Sequence, residues 1–321
     1  MTAPLVSIVI PCYNAQAYVG EAITSALEQT YPNKEVIVID DGSTDGSLEV
    51  IRSFGDRIRW ETGPNRGGCA ARNRGIELAR GELIQFLDAD DLLHPDKLEK
   101  QVPKSLREPN HIVFCDHFVQ AMSAVPNRRL CSIEHQFLDP VILVLRHRTM
   151  ATPAPLHRHA WLTEVGAFRV GLAASQEFDL HLRLAASGRV FSHLPEALFT
   201  VRRMTGSVSD DTGRVFSELV KVLPEVVTTL RQRGKLSDAR RIEFAAYAVY
   251  AGRMSIRHGR TSAGLRLLAL AQELDPQTAH SAYSRPSRAL RRLFGHVAVE
   301  RVIRAHRIIM NAVKRYTPRR A

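Results

Sequence analysis

The sequence predicts an α/β protein whose mostly parallel sheet is covered by helices on both faces and is followed by an α-helical C-terminal region. Short apolar, β-branched segments of strand length alternate with segments of helical periodicity over the first hundred residues. This alternation is typical of a parallel sheet. From about residue 214 the pattern is helical. We therefore expect two domains, an α/β domain over residues 1–212 and a basic helical region over residues 213–321.

The individual elements follow from the same patterns. In the N-terminal half we expect strands at residues 6–10, 35–39, 57–61 and 83–87. The helices between and after them are expected at residues 15–29, 50–54, 70–79 and 95–102. The hydroxyls of Ser43 and Thr44 precede the second helix and are expected to cap it. Further on we expect strands at 112–115 and 197–201, and helices at 177–186, 242–254 and 262–274.

Charge is distributed unevenly along the chain, whose net charge is +11. Residues 1–209 hold 22 Lys and Arg against 24 Asp and Glu, whereas residues 285–321 hold 11 basic residues against Glu300 alone. The basic amphipathic stretch over 287–316 favours an anionic membrane surface. Aromatic side chains suited to base stacking are sparse in it, so no nucleic acid partner is expected. The alternative is a tail that packs on the protein with its charges in solvent.

The cysteines and apolar runs indicate a compartment. The four cysteines lie far apart without a CxxC pair, as in a reduced protein without disulfides. No apolar run approaches the ~18 residues that a spanning helix needs, and the N-terminal apolar segment has the length of a strand rather than of a signal peptide. We expect a cytoplasmic protein, peripheral on the inner face of the cell membrane if residues 285–321 bind lipid. The sequence indicates no oligomeric state.

Two acidic clusters directly follow predicted strands. In α/β sheets, ligands bind at the carboxyl ends of strands. Asp88 and Asp90 are suited to one Mg²⁺ or Mn²⁺, which is usually held by one or two carboxylates together with substrate phosphates; the alternative is a solvated turn before a helix. Asp40 and Asp41 are suited to hydrogen bonds with a nucleobase or ribose, or to a capping turn. No GxGxxG follows the first strand, which excludes a dinucleotide site.

Three further side chains are candidates for chemistry. Arg72 lies in a predicted helix behind a glycine-rich loop, where it is suited to clamp a phosphate or pair with the acidic clusters. A surface ion pair is the alternative. Glu177 and Asp179 lie near a helix start, where each is a candidate general base. Their alternative role is favourable charge at a helix N-terminus.

Taken together, these stretches resemble the family 2 glycosyltransferases, which have the GT-A fold. The stretches that match in order and spacing are VSIVIPCYN (6–14), VIDDGSTD (38–45), RGGCAARN (66–73) and GELIQFLDADD (81–91). The similarity is clear over residues 5–103, weaker over 160–209 and absent over 214–321. The resemblance implies a GT-A-type, Rossmann-like nucleotide-binding sheet and makes residues 1–212 the catalytic domain.

The resemblance also implies roles for single residues. Pro11, Tyr13 and Asp41 line the nucleotide-base pocket, with Asp40 nearby. Arg72, from the glycine-rich stretch, is counted with the donor-binding residues.

Two acidic motifs carry the implied chemistry. Asp88 and Asp90 form the DxD motif, with Asp90 reaching the Mg²⁺ or Mn²⁺ that bridges the donor diphosphate. The family's Glu-Asp motif corresponds to Gln176 and Glu177, so the implied catalytic base is a glutamate, one methylene longer than the usual aspartate.

A second departure lies in VRRMTGS (201–207), which resembles the family's late Arg-x-His-x-Gly-Ser stretch. Met204 stands where histidine is common, and that histidine often supports the diphosphate or metal. Arg202 or Arg203 is a candidate for compensating diphosphate contact.

We therefore expect an inverting glycosyltransferase. It would move a sugar from a nucleotide-diphosphate sugar, a UDP-sugar by expectation, to a hydroxyl of a glycan or lipid-linked acceptor in cell-surface polysaccharide synthesis. The alternative is a catalytically impaired nucleotide-sugar-binding protein on the same fold. A nucleotidyltransferase is disfavoured because no glycine-rich, Arg- or Lys-bearing phosphate loop lies near the first strand.

Overall fold

The computed structural model of the protein describes residues 3–121, 128–131, 139–147, 150–203, 211–281 and 295–300. The chain divides into two compact units. Unit 1 comprises Met1–Leu172 and Gln176–Ser207, and unit 2 comprises Ala173–Ser175 and Val208–Ala321.

Unit 1 alternates strands and helices over its first hundred residues, as predicted. Its strands are β1 Val6–Cys12, β2 Lys34–Asp40, β3 Arg59–Thr62, β4 Leu83–Phe86, β5 Leu92–Leu93, β6 His111–Ala121, β7 Arg128–Cys131, β8 Pro155–Arg158 and β9 Val190–Arg203. Its helices are α1 Val19–Leu27, α2 Ser47–Arg52, α3 Gly68–Leu78, α4 Lys97–Arg107, α5 Pro140–His147, α6 His159–Glu164 and α7 Gln176–Ser187. Every strand and helix predicted for this part of the chain is present, with ends shifted by a few residues.

The described strands form one sheet in the order β3-β2-β1-β4-β8-β6-β9-β5, with β7 paired to β6. The first four strands in this order are parallel. Beyond β4 the sheet is mixed, because β8 runs antiparallel to β4 and β6, while β9 is parallel to β6 and antiparallel to β5. The expectation of parallel pairing therefore holds for β3, β2, β1 and β4 and for the β6/β9 pair, and the other pairings are antiparallel.

The central position of β1 explains its composition. Val6, Ile8, Val9 and Ile10 have no exposed surface, as expected for a parallel strand covered on both faces. Helix α3 lies close to this strand because Gly75 has no side chain: a Cβ there would lie 2.2 Å from Val9 Cγ1. The strand order places the carboxyl ends of β1, β2 and β4 side by side, and the motif residues follow these ends.

The turn after β2 differs from the prediction. Ser43 and Thr44 do not cap α2: the Ser43 hydroxyl accepts the Asn14 amide (3.0 Å), and the Thr44 amide donates to the Asn14 side chain (2.8 Å). The carboxylate of Asp45 accepts the Ser47 amide instead (3.0 Å). Asp45 lies one or two residues nearer to the helix than Thr44 and Ser43. Its carboxylate therefore reaches a first-turn amide, and its negative charge is favourable at the positive N-terminal end of the helix.

The core of unit 1 contains a lysine side chain. Lys97 of α4 is completely buried and donates to the side-chain oxygens of Gln85 (2.7 Å) and Gln101. Burial lowers the pKa of Lys97 to about 8, because desolvation disfavours the charged amine.

Unit 2 is helical in its described part, with α8 Thr212–Gln232, α9 Asp238–Arg257, α10 Thr261–Leu274 and α11 Pro276–Ser281. Residues 295–300 are also helical, and the completely buried Glu300 accepts Nε of Arg253 (2.6 Å) and Nε of Arg257 (2.7 Å). The predicted helices at 242–254 and 262–274 are confirmed. Apart from 295–300, the basic stretch over 287–316 lies outside the described residues. In the described parts of the chain, no helix is both long and apolar enough to cross a membrane.

Candidate active site

The predicted site residues meet in a cavity of about 430 Å³ at the carboxyl ends of β1, β2 and β4. Six of them line it: Pro11, Tyr13, Asp41, Arg72, Asp88 and Asp90. They come from four separate stretches of sequence, so the sheet topology is what brings them together.

One wall of the cavity is the segment that follows β1. Pro11 and Tyr13 line the cavity, and the Tyr13 side chain is 50% exposed, which leaves a ring face available to a planar ligand. Cys12 also lines the cavity, but burial raises the pKa of its thiol to about 11. The thiol is therefore neutral at physiological pH and is not an activated nucleophile.

The Asp41 carboxylate anchors the glycine-rich loop. One of its oxygens accepts the Arg66 amide and the other accepts the Gly67 amide, both at 2.8 Å. The backbone of Gly67 has a φ of 89°, in the left-handed region that glycine adopts without strain. Asp41 therefore fixes the entry to α3, the helix that carries Arg72.

Asp40 lies apart from its neighbour. Its carboxylate accepts the Thr62 hydroxyl (2.6 Å) and the Ser43 amide (3.3 Å). It lines a second cavity, of about 320 Å³, which shares Asp41 and Ala71 with the first. The predicted pair is thus divided between two adjoining cavities, and Asp40 reaches the second one only.

The acidic turn after β4 concentrates negative charge. Burial raises the pKa of Asp90, and the charge of Asp88 raises it further. Burial and then the charges of Asp88 and Asp90 raise the pKa of Asp91 well above its usual value, although Asp91 also accepts the Arg202 amide (3.0 Å). Repulsion among carboxylates of this kind is relieved by a cation.

Asp88 and Asp90 fit a hard divalent cation. Both line the same cavity and offer carboxylate oxygens, the ligands that Mg²⁺ and Mn²⁺ prefer. Among the described residues, no cluster of three or more His, Cys, Asp or Glu side chains has the arrangement of an all-protein metal site. The remaining ligands would therefore come from water or from substrate phosphates.

Arg72 links the acidic turn to α7. Its Nη2 donates to Asp88 Oδ1 at 2.6 Å and lies 3.3 Å from Glu177 Oε1, while its Nη1 donates to Gln176 Oε1 at 2.8 Å. The guanidinium also lies over the Phe168 ring, 5.3 Å from the ring centre. Although burial lowers the pKa of Arg72, the charges of Asp88 and Glu177 outweigh this effect and raise it. Arg72 is therefore a permanent buried cation.

The structure separates the two candidate bases. Glu177 lies in the first turn of α7 with a side chain 19% exposed, and it accepts the Thr152 hydroxyl at 3.2 Å. Asp179 is completely buried and forms ion pairs with Arg169 (3.1 Å) and Arg183 (2.7 Å). Asp179 therefore serves the packing of α7. Glu177 is not among the cavity-lining residues, and Arg72 connects it to them.

The two candidate diphosphate contacts at the end of β9 have different environments. Arg202 is buried: its guanidinium bonds to Glu21 and to the Asp90 carbonyl, and it lies 5.1 Å from the centre of the Tyr18 ring. Arg202 therefore supports the acidic turn from outside the cavity. Arg203 is exposed at the strand end. Met204 lies outside the described residues.

Sequence reasoning missed the supports of Arg72 and Glu177. The Asn73 side chain exchanges two hydrogen bonds with the Phe168 backbone, at 2.8 and 2.9 Å, which places the Phe168 ring under Arg72. Thr152 supplies the hydroxyl on Glu177. Neither Thr152 nor Phe168 belongs to a local motif, so no sequence signal identified them.

Comparisons with known proteins agree with this architecture. Residues 7–156 match the model of glycosyl transferase family 2. An uncharacterized glycosyltransferase of Haemophilus influenzae is 46% identical over 127 residues, covering 36% of this chain and 50% of that protein. The putative teichuronic acid biosynthesis glycosyltransferase TuaG of Bacillus subtilis is 35% identical over 127 residues, covering 38% of this chain and 50% of TuaG. The chain thus spans about half the length of these relatives.

Two solved structures share the fold across most of the chain. S. aureus TarS 1–349 in complex with UDP-GlcNAc superposes with a TM-score of 0.70 at 18% identity, covering 94% of this chain and 92% of that one. The mannosyltransferase PcManGT of Pyrobaculum calidifontis, in complex with GDP-Man and Mn²⁺, superposes with a TM-score of 0.56 at 16% identity, covering 95% and 88%. Over residues 7–156 the chain thus has the sequence of glycosyl transferase family 2, and most of the chain shares the GT-A fold of these two structures.

Proposed function

We propose that this chain is an inverting glycosyltransferase that moves a sugar from a nucleotide-diphosphate sugar to a hydroxyl of a glycan or lipid-linked acceptor, in cell-surface polysaccharide synthesis. The observation that carries the proposal is the connection, through the buried Arg72, of the Asp88–Asp90 turn with Glu177. A donor-binding carboxylate pair and a general base are the two groups that this reaction needs. TuaG, named for teichuronic acid biosynthesis, supports the polysaccharide assignment.

The donor we propose is a UDP-sugar. The cavity that Tyr13, Asp41 and Asp90 line has a volume of about 430 Å³ and offers a ring face, a carboxylate at the loop and a carboxylate turn. These groups suit a base, its ribose and a diphosphate with a divalent cation. The TarS complex contains UDP-GlcNAc, and the PcManGT complex contains Mn²⁺.

The proposed reaction is a displacement at the anomeric carbon of the donor sugar. The acceptor hydroxyl attacks the anomeric carbon, the bond from that carbon to the diphosphate oxygen breaks, and the hydroxyl proton passes to Glu177. Attack on the face opposite the diphosphate inverts the anomeric centre, through charge development like that in glycoside hydrolysis. When bound at Asp88 and Asp90, Mg²⁺ or Mn²⁺ supplies neutralisation of the charge on the departing diphosphate.

The glutamate at position 177 must come within hydrogen-bonding distance of the hydroxyl, about 3 Å. Its side chain is held by Thr152 and Arg72 from within the protein and keeps 19% of its surface exposed. Part of the Glu177 side chain is therefore open to solvent, from which the acceptor would approach.

The test measures UDP release from a panel of UDP-sugars, with and without Mn²⁺, in the presence of membrane-derived acceptors. Glu177→Gln is expected to lower kcat by about 10²–10⁴-fold while leaving donor affinity within about threefold. Asp90→Ala is expected to abolish turnover, and added Mn²⁺ should not restore it. Glu164→Gln, a change in an ion pair outside the cavity, is the matched control and should retain activity.

The second candidate is a protein that binds nucleotide-sugars without transfer, which the Gln176–Glu177 pair and Met204 motivate. A thermal-shift panel with and without Mn²⁺ separates the two. Stabilisation by a UDP-sugar without turnover for any acceptor would favour the binding protein.

We also propose that residues 285–321 bring the enzyme to the cytoplasmic face of the membrane. The segment carries 11 basic residues and one acidic residue, and the charged surface of anionic lipid attracts each Lys or Arg by about 1 kcal/mol. The full chain should co-sediment with vesicles containing phosphatidylglycerol at low salt and be released as salt rises. Equal binding to neutral phosphatidylcholine vesicles, or no binding at low salt, would contradict the proposal.

A further inference from the structure

One guanidinium contacts both a carboxylate of the cavity and the proposed base beside it. Arg72 Nη2 lies 2.6 Å from Asp88 Oδ1 and 3.3 Å from Glu177 Oε1, so the same nitrogen serves two carboxylates at once. The side chain is 9% exposed, and its Nε is buried without a hydrogen-bond partner. The arrangement thus holds one cation between two anions, with the closer contact on the donor side.

The two contacts compete for one charge. A guanidinium does not lose its proton in a protein, so Arg72 stays positive whatever binds beside it. A divalent cation on Asp88 and Asp90 would place a second positive charge against Asp88. This weakens the attraction between Asp88 and Arg72 and leaves Glu177 and Gln176 as the partners of the guanidinium.

We propose that Arg72 is a positioning residue that couples cation binding at Asp88 and Asp90 to the placement of Glu177. The inference rests on the proposed function for its catalytic meaning, although its electrostatic part concerns cation binding alone. Without the cation, Asp88 holds Arg72; with the cation bound, Arg72 acts mainly on Glu177 and orients the base. The base is thus set for the acceptor only when the donor side is loaded.

The first experiment measures Mn²⁺ binding to the full chain by isothermal titration calorimetry, without nucleotide. Arg72→Gln removes the competing charge and is expected to tighten the Mn²⁺ Kd by about tenfold, as for a carboxylate relieved of a close cation. Arg80→Gln removes an exposed arginine that pairs with Glu35 away from the cavity, and it should leave the Kd unchanged. Unchanged or weaker Mn²⁺ binding by a folded Arg72→Gln variant would overturn the proposal.

A double-mutant cycle on the same Kd tests the link to Glu177. In the wild-type background, Glu177→Gln removes one partner of Arg72 and leaves the guanidinium to Asp88, so Mn²⁺ binding should weaken. In the Arg72→Gln background, Glu177→Gln should change the Mn²⁺ Kd by a factor that is about threefold or more smaller than in the wild-type background. Equal effects in the two backgrounds would overturn the coupling. Because this readout needs no turnover, it stands or falls separately from the transferase assignment.

Turnover measurements distinguish a positioning role of Arg72 from a role as a ligand of the diphosphate. Arg72→Lys keeps the charge but lacks the second terminal nitrogen, which donates to Gln176 Oε1 and fixes the direction of the guanidinium. It should therefore bind Mn²⁺ as the wild type does, with a lower kcat and a donor KM within about threefold of wild type. A raised donor KM with unchanged kcat would instead make Arg72 a ligand of the diphosphate and overturn the positioning role. If the wild type itself lacks transferase activity while the Mn²⁺ cycle shows coupling, the proposed function fails and the electrostatic inference remains.

Discussion

The substitution Gly75→Ala tests how closely α3 must approach the central strand. A Cβ at this position would lie 2.2 Å from Val9 Cγ1 and 3.3 Å from Val9 Cβ and Cγ2. Carbon atoms in favourable contact are about 3.5–4.0 Å apart. Since Val9 is completely buried, either its side chain or the helix must move.

The magnitude follows from two opposing effects. Overpacking a buried contact costs about 1–3 kcal/mol, and a separation of only 2.2 Å between two carbon atoms belongs at the upper end of that range. Alanine is preferred to glycine within a helix by about 1 kcal/mol, which offsets part of the cost. We expect Gly75→Ala to lower the free energy of unfolding by about 2 kcal/mol net. Arg72 lies about one turn earlier on α3, so turnover should fall as well.

Urea denaturation of a double-mutant cycle checks the cause. Val9→Ala alone removes two methyl groups and should cost about 2 kcal/mol. In Val9→Ala/Gly75→Ala the new methyl group fills the space that the valine leaves, so the double variant should be more stable than the sum of the two costs implies, by at least about 1 kcal/mol. Additive costs would refute the steric explanation.

Three further outcomes are expected. Asp41→Ala removes the acceptors of the Arg66 and Gly67 amides and should lower the free energy of unfolding by about 2–3 kcal/mol in urea; an unchanged midpoint would contradict the anchoring role. Burial lowers the pKa of Lys97 to about 8, so the native state releases this proton at a lower pH than the unfolded chain does. Raising the pH from about 8 to 9.5 should therefore stabilise the wild type relative to Lys97→Met by about 2 kcal/mol. Parallel pH profiles of the two free energies of unfolding would contradict the lowered pKa. Glu300→Ala should cost about 3 kcal/mol and speed amide hydrogen exchange at 295–300; unchanged exchange would contradict its anchoring by two arginines.

The first four strands in the sheet order could be predicted because their signals are local. Apolar runs such as that of β1 are bounded by prolines, glycines and acidic turns, and parallel pairing follows from the intervening helices. Once the strands are parallel, their carboxyl ends share an edge. The meeting of Asp41, Asp88 and Asp90 in one cavity follows from that rule and needs no further information.

The second half of the sheet could not be predicted in the same way. β4 pairs with β8 in antiparallel orientation, although about seventy residues separate them in sequence. β6 and β9 pair in parallel with register shifts near Asp116. Neither pairing has a hairpin turn or a single crossover helix that would predict it. The sequence predicts the strands at 112–115 and 197–201, but it predicts neither β8 nor the order of the strands.

The turn after β2 shows a second kind of limit. Ser43, Thr44 and Asp45 all carry groups that can cap a helix, and propensity alone ranks them closely. Asn14, from the segment after β1, accepts the Thr44 amide and donates its own amide to Ser43, which leaves Asp45 for α2. A tertiary contact thus decides among local alternatives that are nearly equal in energy.

Ion pairs of one arginine connect the separate sequence motifs in the structure. Arg72 belongs to the stretch 66–73, and it contacts Asp88 of the stretch 81–91 and both Gln176 and Glu177. Each of these stretches is a weak functional signal by itself. Asp88 lies 16 residues away from Arg72 and Gln176 lies 104 residues away. An arginine shared by two carboxylates couples them, because loss of either carboxylate leaves the guanidinium to the other. The three stretches are therefore energetically linked, and a change in one should alter the effect of a change in another, which independent motifs would not do.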